Sequence, residues 1–107
     1  MYALLEMHII SRKALKAFWE THPDSQEPLI TWYTIVKRAH FQSIHEVRTY
    51  FPHADFKSTK HEGELTIFNI GGNKYRLLTS IAYDWQKVFI RGVMTHEEYT
   101  AWNRRIK

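Results

Sequence analysis

Three residues able to grip a phosphate, Asn69, Lys74 and Arg76, surround a Gly71-Gly72 pair, and His96 stands three positions ahead of Tyr99 near the end of the chain. An arginine offers a planar fork of donors that matches two phosphate oxygens, a lysine offers a point charge, and an asparagine amide both donates and accepts. Histidine has an unperturbed pKa near neutrality, so at a strand end it can serve as general acid or base. Tyr99, one helical turn after His96, can stack on a base or pack a helix against a sheet, the second being the commoner use. Plainer explanations exist for all of these: scattered charge on a solvated sheet face, and one incidental histidine among seven. The choice turns on whether the surrounding elements bring the groups to one place.

The glycine pair separates two strand-like stretches, residues 64–70 and 73–83. Glycines supply the positive φ angles of a tight hairpin turn. A two-residue turn there pairs Ile70 with Asn73 and Asn69 with Lys74. One face then collects Leu65, Ile67, Asn69, Lys74, Arg76 and Ser80, and the other collects Phe68, Ile70, Tyr75, Leu77, Ile81 and Tyr83, the obvious core. A three-residue turn would move the second strand to the opposite parity and disperse the cations. Arg91, on a strand expected at residues 87–94, shares a face with Arg76 if the preceding turn spans four residues and not if it spans three.

The remaining elements follow from periodicity and caps. Residues 4–10 read as a first strand. Ser11 caps a helix over 12–21 with Leu15, Phe18 and Trp19 on one face. Asp24 with Glu27 makes a capping-box pattern ahead of a second helix carrying Leu29, Trp32, Tyr33, Val36 and Ala39. Ser43 with Glu46 repeats that pattern before a short helix stopped by Pro52, and residues 57–63 read as a polar connector. Thr95 caps a last helix reaching about Arg104, with Glu97 and Glu98 in its favourable first turn. The order predicts one α+β domain over residues 1–107, with helices on one side of an antiparallel sheet.

Composition narrows the chemistry. The chain of 107 residues has no cysteine, which excludes disulfides, thiolate metal sites and a cysteine nucleophile. His40 and His45 are five apart, wrong for one face of a helix, and His53 and His61 flank a polar loop without an evident third ligand. Gly71-Gly72 lies between two strands and not between strand and helix, so it is no phosphate-binding loop of the nucleotide-fold kind. No metal or cofactor is expected. No apolar run approaches the ~20 residues a membrane helix needs, and a cytoplasmic location is expected. Residues 1–56 carry six Lys/Arg against six Asp/Glu, while residues 57–107 carry nine against five, so the net charge of +4 lies in the second half. A basic half beside a neutral one suits a polyanionic partner.

Met7-His8-Ile9-Ile10-Ser11 leading into Lys13-Ala14-Leu15, the phrase Phe68-Asn69-Ile70-Gly71-Gly72-Asn73-Lys74-Tyr75-Arg76-Leu77, and Val93-Met94-Thr95-His96-Glu97-Glu98-Tyr99 resemble the HigB toxins, RelE-like members of type II toxin–antitoxin systems. The resemblance runs in order from Met7 to about Trp102 and leaves residues 1–6 as a dispensable extension. It implies a RelE-like fold: a small twisted, mostly antiparallel sheet with two to three helices on one face and a short C-terminal helix. It implies a ribosome-dependent endoribonuclease, an mRNA interferase that cuts messenger RNA in the ribosomal A site by metal-free attack of the 2′-OH on phosphate. Under the resemblance Arg76 stabilises the phosphate and transition state, and Lys57 and His96 share the roles of base and acid. Tyr99 stacks on or orients the substrate, Asn69 and Lys74 position the backbone, and Lys60 and Arg91 are further RNA contacts. The implied partner is a HigA-type helix-turn-helix antitoxin, through which alone operator DNA is bound. Two other readings of the same scaffold stand beside it: a ParE-like gyrase inhibitor that leaves RNA intact, and an RNA-binding module without activity.

Overall fold

Leu15 and Trp19 on α1 (Arg12–Thr21) and Leu29, Trp32 and Val36 on α2 (Gln26–Arg38) recur at helical spacing, and all five are buried. With Val47 of the short α3 (Ile44–Tyr50) they form one layer over a sheet. The computed structural model describes residues 7–106, so the expectations for the extension 1–6 and for strand over residues 4–6 lie outside the described residues. The first strand is β1 (His8–Ile10), and a 3-10 turn (Pro23–Ser25) joins α1 to α2. After α3 come β2 (Asp55–Thr59), β3 (Gly63–Ile70), β4 (Tyr75–Ala82), a second 3-10 turn (Tyr83–Trp85), β5 (Lys87–Thr95) and α4 (His96–Arg105).

The five-stranded sheet has the order β1-β5-β4-β3-β2. β1 lies parallel to β5 and every other pair is antiparallel, a mixed α+β architecture consistent with the RelE-like fold. Among the described residues no helix is long and apolar enough to cross a membrane.

β2 runs through the start of the stretch expected to be a polar connector, with Lys57 paired to Leu65. Its pattern hid it: an edge strand needs no apolar face, and Asp55, Lys57, Ser58 and Thr59 surround a lone Phe56. The second difference concerns the helices. α1, α2 and α3 cover one face as expected, through Phe68, Ile70, Tyr75, Leu77 and Val88. The fourth helix lies on the opposite face, where Trp102 packs with Leu65, Ile67 and Leu78, bordered by Met94, Tyr99 and Ile106. The central strands are therefore covered twice along part of their length, and Leu65, Thr66, Ile67 and Phe68 are buried in succession. Strands buried on both faces lose the alternation that marks a one-sided sheet.

Candidate phosphate-binding cleft

The β3–β4 turn spans four residues, 71–74, because Ile70 pairs with Tyr75 and Asn69 with Arg76. Gly71 and Gly72 take φ of +63° and +68°, the left-handed region that glycine enters without penalty. The register is two residues off the one expected, and since strand parity repeats every two residues the face assignment survives. Asn69 and Arg76 are cross-strand neighbours on the α4 face. Lys74 leaves the strand for the turn, and its ammonium donates to the Asp24 carboxylate on the helix layer, so the geometry does not bring it to Arg76.

Arg76 is only 9% exposed. Its guanidinium donates to the Asn73 and Tyr75 carbonyls at 3.2 and 3.1 Å and to Asn73 Oδ1 at 2.6 Å. All three acceptors are neutral, and among the described residues no carboxylate forms an ion pair with it. A nearly buried cation without a counter-charge is costly unless an anion arrives. The guanidinium carbon lies 5.7 Å from the Tyr99 ring centroid, a cation–π approach.

Tyr99 reaches that position because α4 starts at a fixed point. Thr95 Oγ1 accepts from Glu98 N at 3.1 Å while Thr95 N donates to Glu98 Oε1 at 2.8 Å, a complete capping box. The His96 N–H donates to the Lys74 carbonyl at 2.9 Å, fastening the helix start to the hairpin turn. Burial pushes the Tyr99 phenol pKa up, with the Asp55 carboxylate adding to the rise and Arg76 opposing it. The phenol is therefore a neutral O–H donor at working pH, not a base.

Arg76, Asn69 and Ile67 form the floor of a cleft of about 370 Å³ with Tyr99 on one wall and Pro52, His53, Ala54 and Asp55 on the other. Arg48 of α3 also lines it, and its Nε donates to the Ala54 carbonyl at 3.0 Å, pinning that wall. A second hollow lined by His53, Asn69, Gly72 and Asn73 shares two of these residues, so one groove passes from Asp55 to the hairpin turn. Lys57 sits at its rim, 3.9 Å from Asp55 Oδ2.

The expected site residues thus divide. Arg76, Asn69 and Tyr99 meet, whereas Lys57 pairs with Leu65, four residues along β3 from Asn69, and touches the cleft wall only through Asp55. His96 is exposed and does not line the cleft, but it occupies the first position of α4, one turn before Tyr99 and on the same flank. Arg91 lies at a β-bulge, left unpaired where Leu78 faces Gly92 and Thr79 faces Ile90, and donates to Ser80 Oγ at 2.9 Å. The turn before β5 spans four residues, because Ala82 pairs with Lys87, and Arg91 does reach the Arg76 face. Ser80 lies four residues along β4 from Arg76, about 13 Å at strand rise, so Arg91 stands away from the cleft. Lys60 is in the β2–β3 turn beside Thr59, His61, Glu62 and Ile106, at the far end of β3 from Asn69. His53, Arg48 and Asp55 escaped sequence reasoning. Nothing in their spacing relates them to Arg76 until β2 is paired to β3.

An arginine bonded only to neutral acceptors, an amide and an aromatic face in one groove have the chemistry to take a phosphate that carries a base. The comparisons with known proteins agree with that chemistry. The family model of the HigB toxin, described as the RelE-like toxic component of a toxin–antitoxin system, matches residues 25–102. The chain is 33% identical over 93 residues to the "mRNA interferase toxin HigB" of Escherichia coli (strain K12), covering 87% of this chain and 88% of that one. It is equally similar to the "mRNA interferase HigB" of Shigella flexneri, and 28% identical to that of Escherichia coli O6:H1 over the same share. The chain belongs to the HigB toxin family.

Proposed function

We propose that this chain is the toxin of a type II toxin–antitoxin pair and that it cleaves messenger RNA in the cytoplasm on the ribosome, in the A site. The observation that carries the reading is Arg76: a nearly buried guanidinium with neutral acceptors only, on the floor of a groove walled by an aromatic ring. A scissile phosphate supplies the missing negative charge, and the flanking base lies against Tyr99.

Cleavage needs no external nucleophile. The ribose 2′-oxygen bonds to the adjacent phosphorus as the bond from phosphorus to the 5′-oxygen breaks, leaving a 2′,3′-cyclic phosphate and a 5′-hydroxyl. A base takes the 2′-OH proton and an acid returns one to the leaving 5′-oxygen. Lys57 and His96 share these two roles, and His53, which lines the groove, is a further group able to move a proton. Arg76 stabilises the charge that builds on the non-bridging oxygens, assisted by Asn69 and by the Tyr99 hydroxyl. Arg48 holds the RNA backbone at the rim, and Lys60, Lys74 and Arg91, outside the cleft, make longer-range contacts with it. The partner that silences the chain is a HigA-type antitoxin, and operator DNA is contacted through that antitoxin.

Mapping of 5′ ends of mRNA in cells expressing wild type, Arg76→Ala or His96→Ala tests the reading. New ends in register with codons are expected for wild type and are expected to vanish in Arg76→Ala. Arrested growth with intact messages would retire the nuclease reading and bring DNA gyrase forward as the target.

A further inference from the structure

The turn that holds Arg76 is tied down from the other side of the sheet. Asp24, in the 3-10 turn between α1 and α2, accepts hydrogen bonds from Lys74 Nζ and from the Tyr75 hydroxyl. Both donors adjoin the residues that receive Arg76: Asn73 precedes Lys74, and the Tyr75 carbonyl itself accepts from the guanidinium. The same short stretch is therefore gripped by Asp24 on the helix layer and by Arg76 on the cleft side. The Tyr75 ring is 7% exposed and packs edge-on to Phe18 at 5.3 Å and to His22 at 5.7 Å, which fixes the direction of its hydroxyl.

Asp24 has no local duty that explains it. The expected capping role is absent: the N-cap of α2 is Ser25, and no side chain caps that helix. The Asp24 carboxyl is held below its ordinary pKa, chiefly by the Lys74 hydrogen bond and then by that of Tyr75, so it is ionised wherever the protein works. Its contacts reach 50 and 51 residues along the chain to one turn. That turn also carries the Lys74 carbonyl that seats the start of α4.

We propose that Asp24 is a positioning residue of the cleft. By fixing Lys74 and Tyr75 it sets the direction of Asn73, and Asn73 aims the Arg76 guanidinium at the bound phosphate. The proposal rests on the reading of Arg76 as the phosphate-binding group. A misplacement of about 1 Å at a reacting centre can cost about a hundredfold in rate, so a slack turn is felt in turnover more than in binding.

The test uses the full chain as wild type, Asp24→Asn, Tyr75→Phe, Arg76→Ala and Asp24→Asn/Arg76→Ala. Cleavage of ribosome-bound mRNA is followed together with the NMR signal of the Arg76 side-chain Nε–H. Asp24→Asn is expected to lower kcat by about tenfold to a hundredfold, with KM nearly unchanged, and to shift or broaden the Arg76 signal. Tyr75→Phe, which removes one bond and keeps the ring, falls between it and wild type. In the Arg76→Ala background Asp24→Asn is expected to add nothing, since two residues acting through one group are not independent. An unchanged Arg76 signal with unchanged kcat overturns the proposal, as do effects of Asp24→Asn and Arg76→Ala that multiply. If wild type cleaves no RNA the nuclease reading falls, and the Arg76 signal alone then decides the role of Asp24.

Discussion

The two faces of the sheet share their strands and differ in how completely they are covered. Under α1, α2 and α3 the strands present Phe68, Ile70, Tyr75, Leu77 and Val88, none more than 7% exposed. Under α4, cover extends over Leu65, Ile67 and Leu78, and the strand ends beyond them carry Asn69, exposed, and Arg76. One strand serves both purposes: in β4, Leu77 points into the closed layer and Arg76 into the open cleft. A layer of three helices gives stability, whereas one helix of 10 residues leaves an uncovered end where charge, amide and ring face a groove.

Neighbouring substitutions should separate these roles. Leu77→Ala, in the closed layer, is expected to cost about 2–5 kcal/mol of unfolding free energy in urea titrations, enough to unfold much of a small domain. Arg76→Met is expected to leave the unfolding midpoint unchanged or to raise it, because an apolar side chain of similar volume replaces a buried, uncompensated charge. The same substitution is expected to lower cleavage by about 10²–10³-fold. Arg76→Met that unfolds the chain as Leu77→Ala does would erase the distinction between the faces.

Much of that closed face is readable from sequence, because it rests on period: Leu15 with Trp19, Leu29 with Trp32 and Val36, and Phe68 alternating with Ile70. The cleft is readable only where parity carries it. Asn69 and Arg76 stay together although the turn spans residues 71–74, since a two-residue shift preserves faces. Lys74 is lost from the group for the same reason, being placed in the turn and drawn to Asp24. The opposite wall is illegible in sequence because Asp55 lies on an edge strand with a polar pattern, and Arg48 and His53 come to the cleft only through the helix and loop that lead into that strand. Arg91 turns on a bulge, and one inserted residue leaves no mark in composition or period.

A smaller effect probes how the open face is framed. Thr95→Ala removes the acceptor of the Glu98 N–H and half of the capping box. The expected loss is about 1 kcal/mol in unfolding free energy. The start of α4 keeps its bond from His96 N to the Lys74 carbonyl, so Tyr99 should stay near Arg76 and cleavage should fall only a few-fold. A loss of activity as large as that of Arg76→Met would mean that the capping box, rather than the turn contact, sets the position of Tyr99.

The smallest expected effect on stability lies where the closed layer grips the hairpin turn. Asp24 has its carboxyl pKa lowered from 3.8, first by the Lys74 hydrogen bond, so its contribution to stability is present above that value and is lost as pH falls through the depressed one. Asp24 raises Lys74 above 10.5 and Tyr75 above 10.0, so their contributions are complete below those values and are lost as pH rises through the raised ones. The difference in thermal midpoint between wild type and Asp24→Asn should therefore be flat from about pH 5 to pH 9 and shrink on both sides. Asp24 and Lys74 are exposed to solvent, so the difference should be small and should narrow with added salt. A difference that varies steeply near neutrality would place its source outside the contacts of Asp24 with Lys74 and Tyr75.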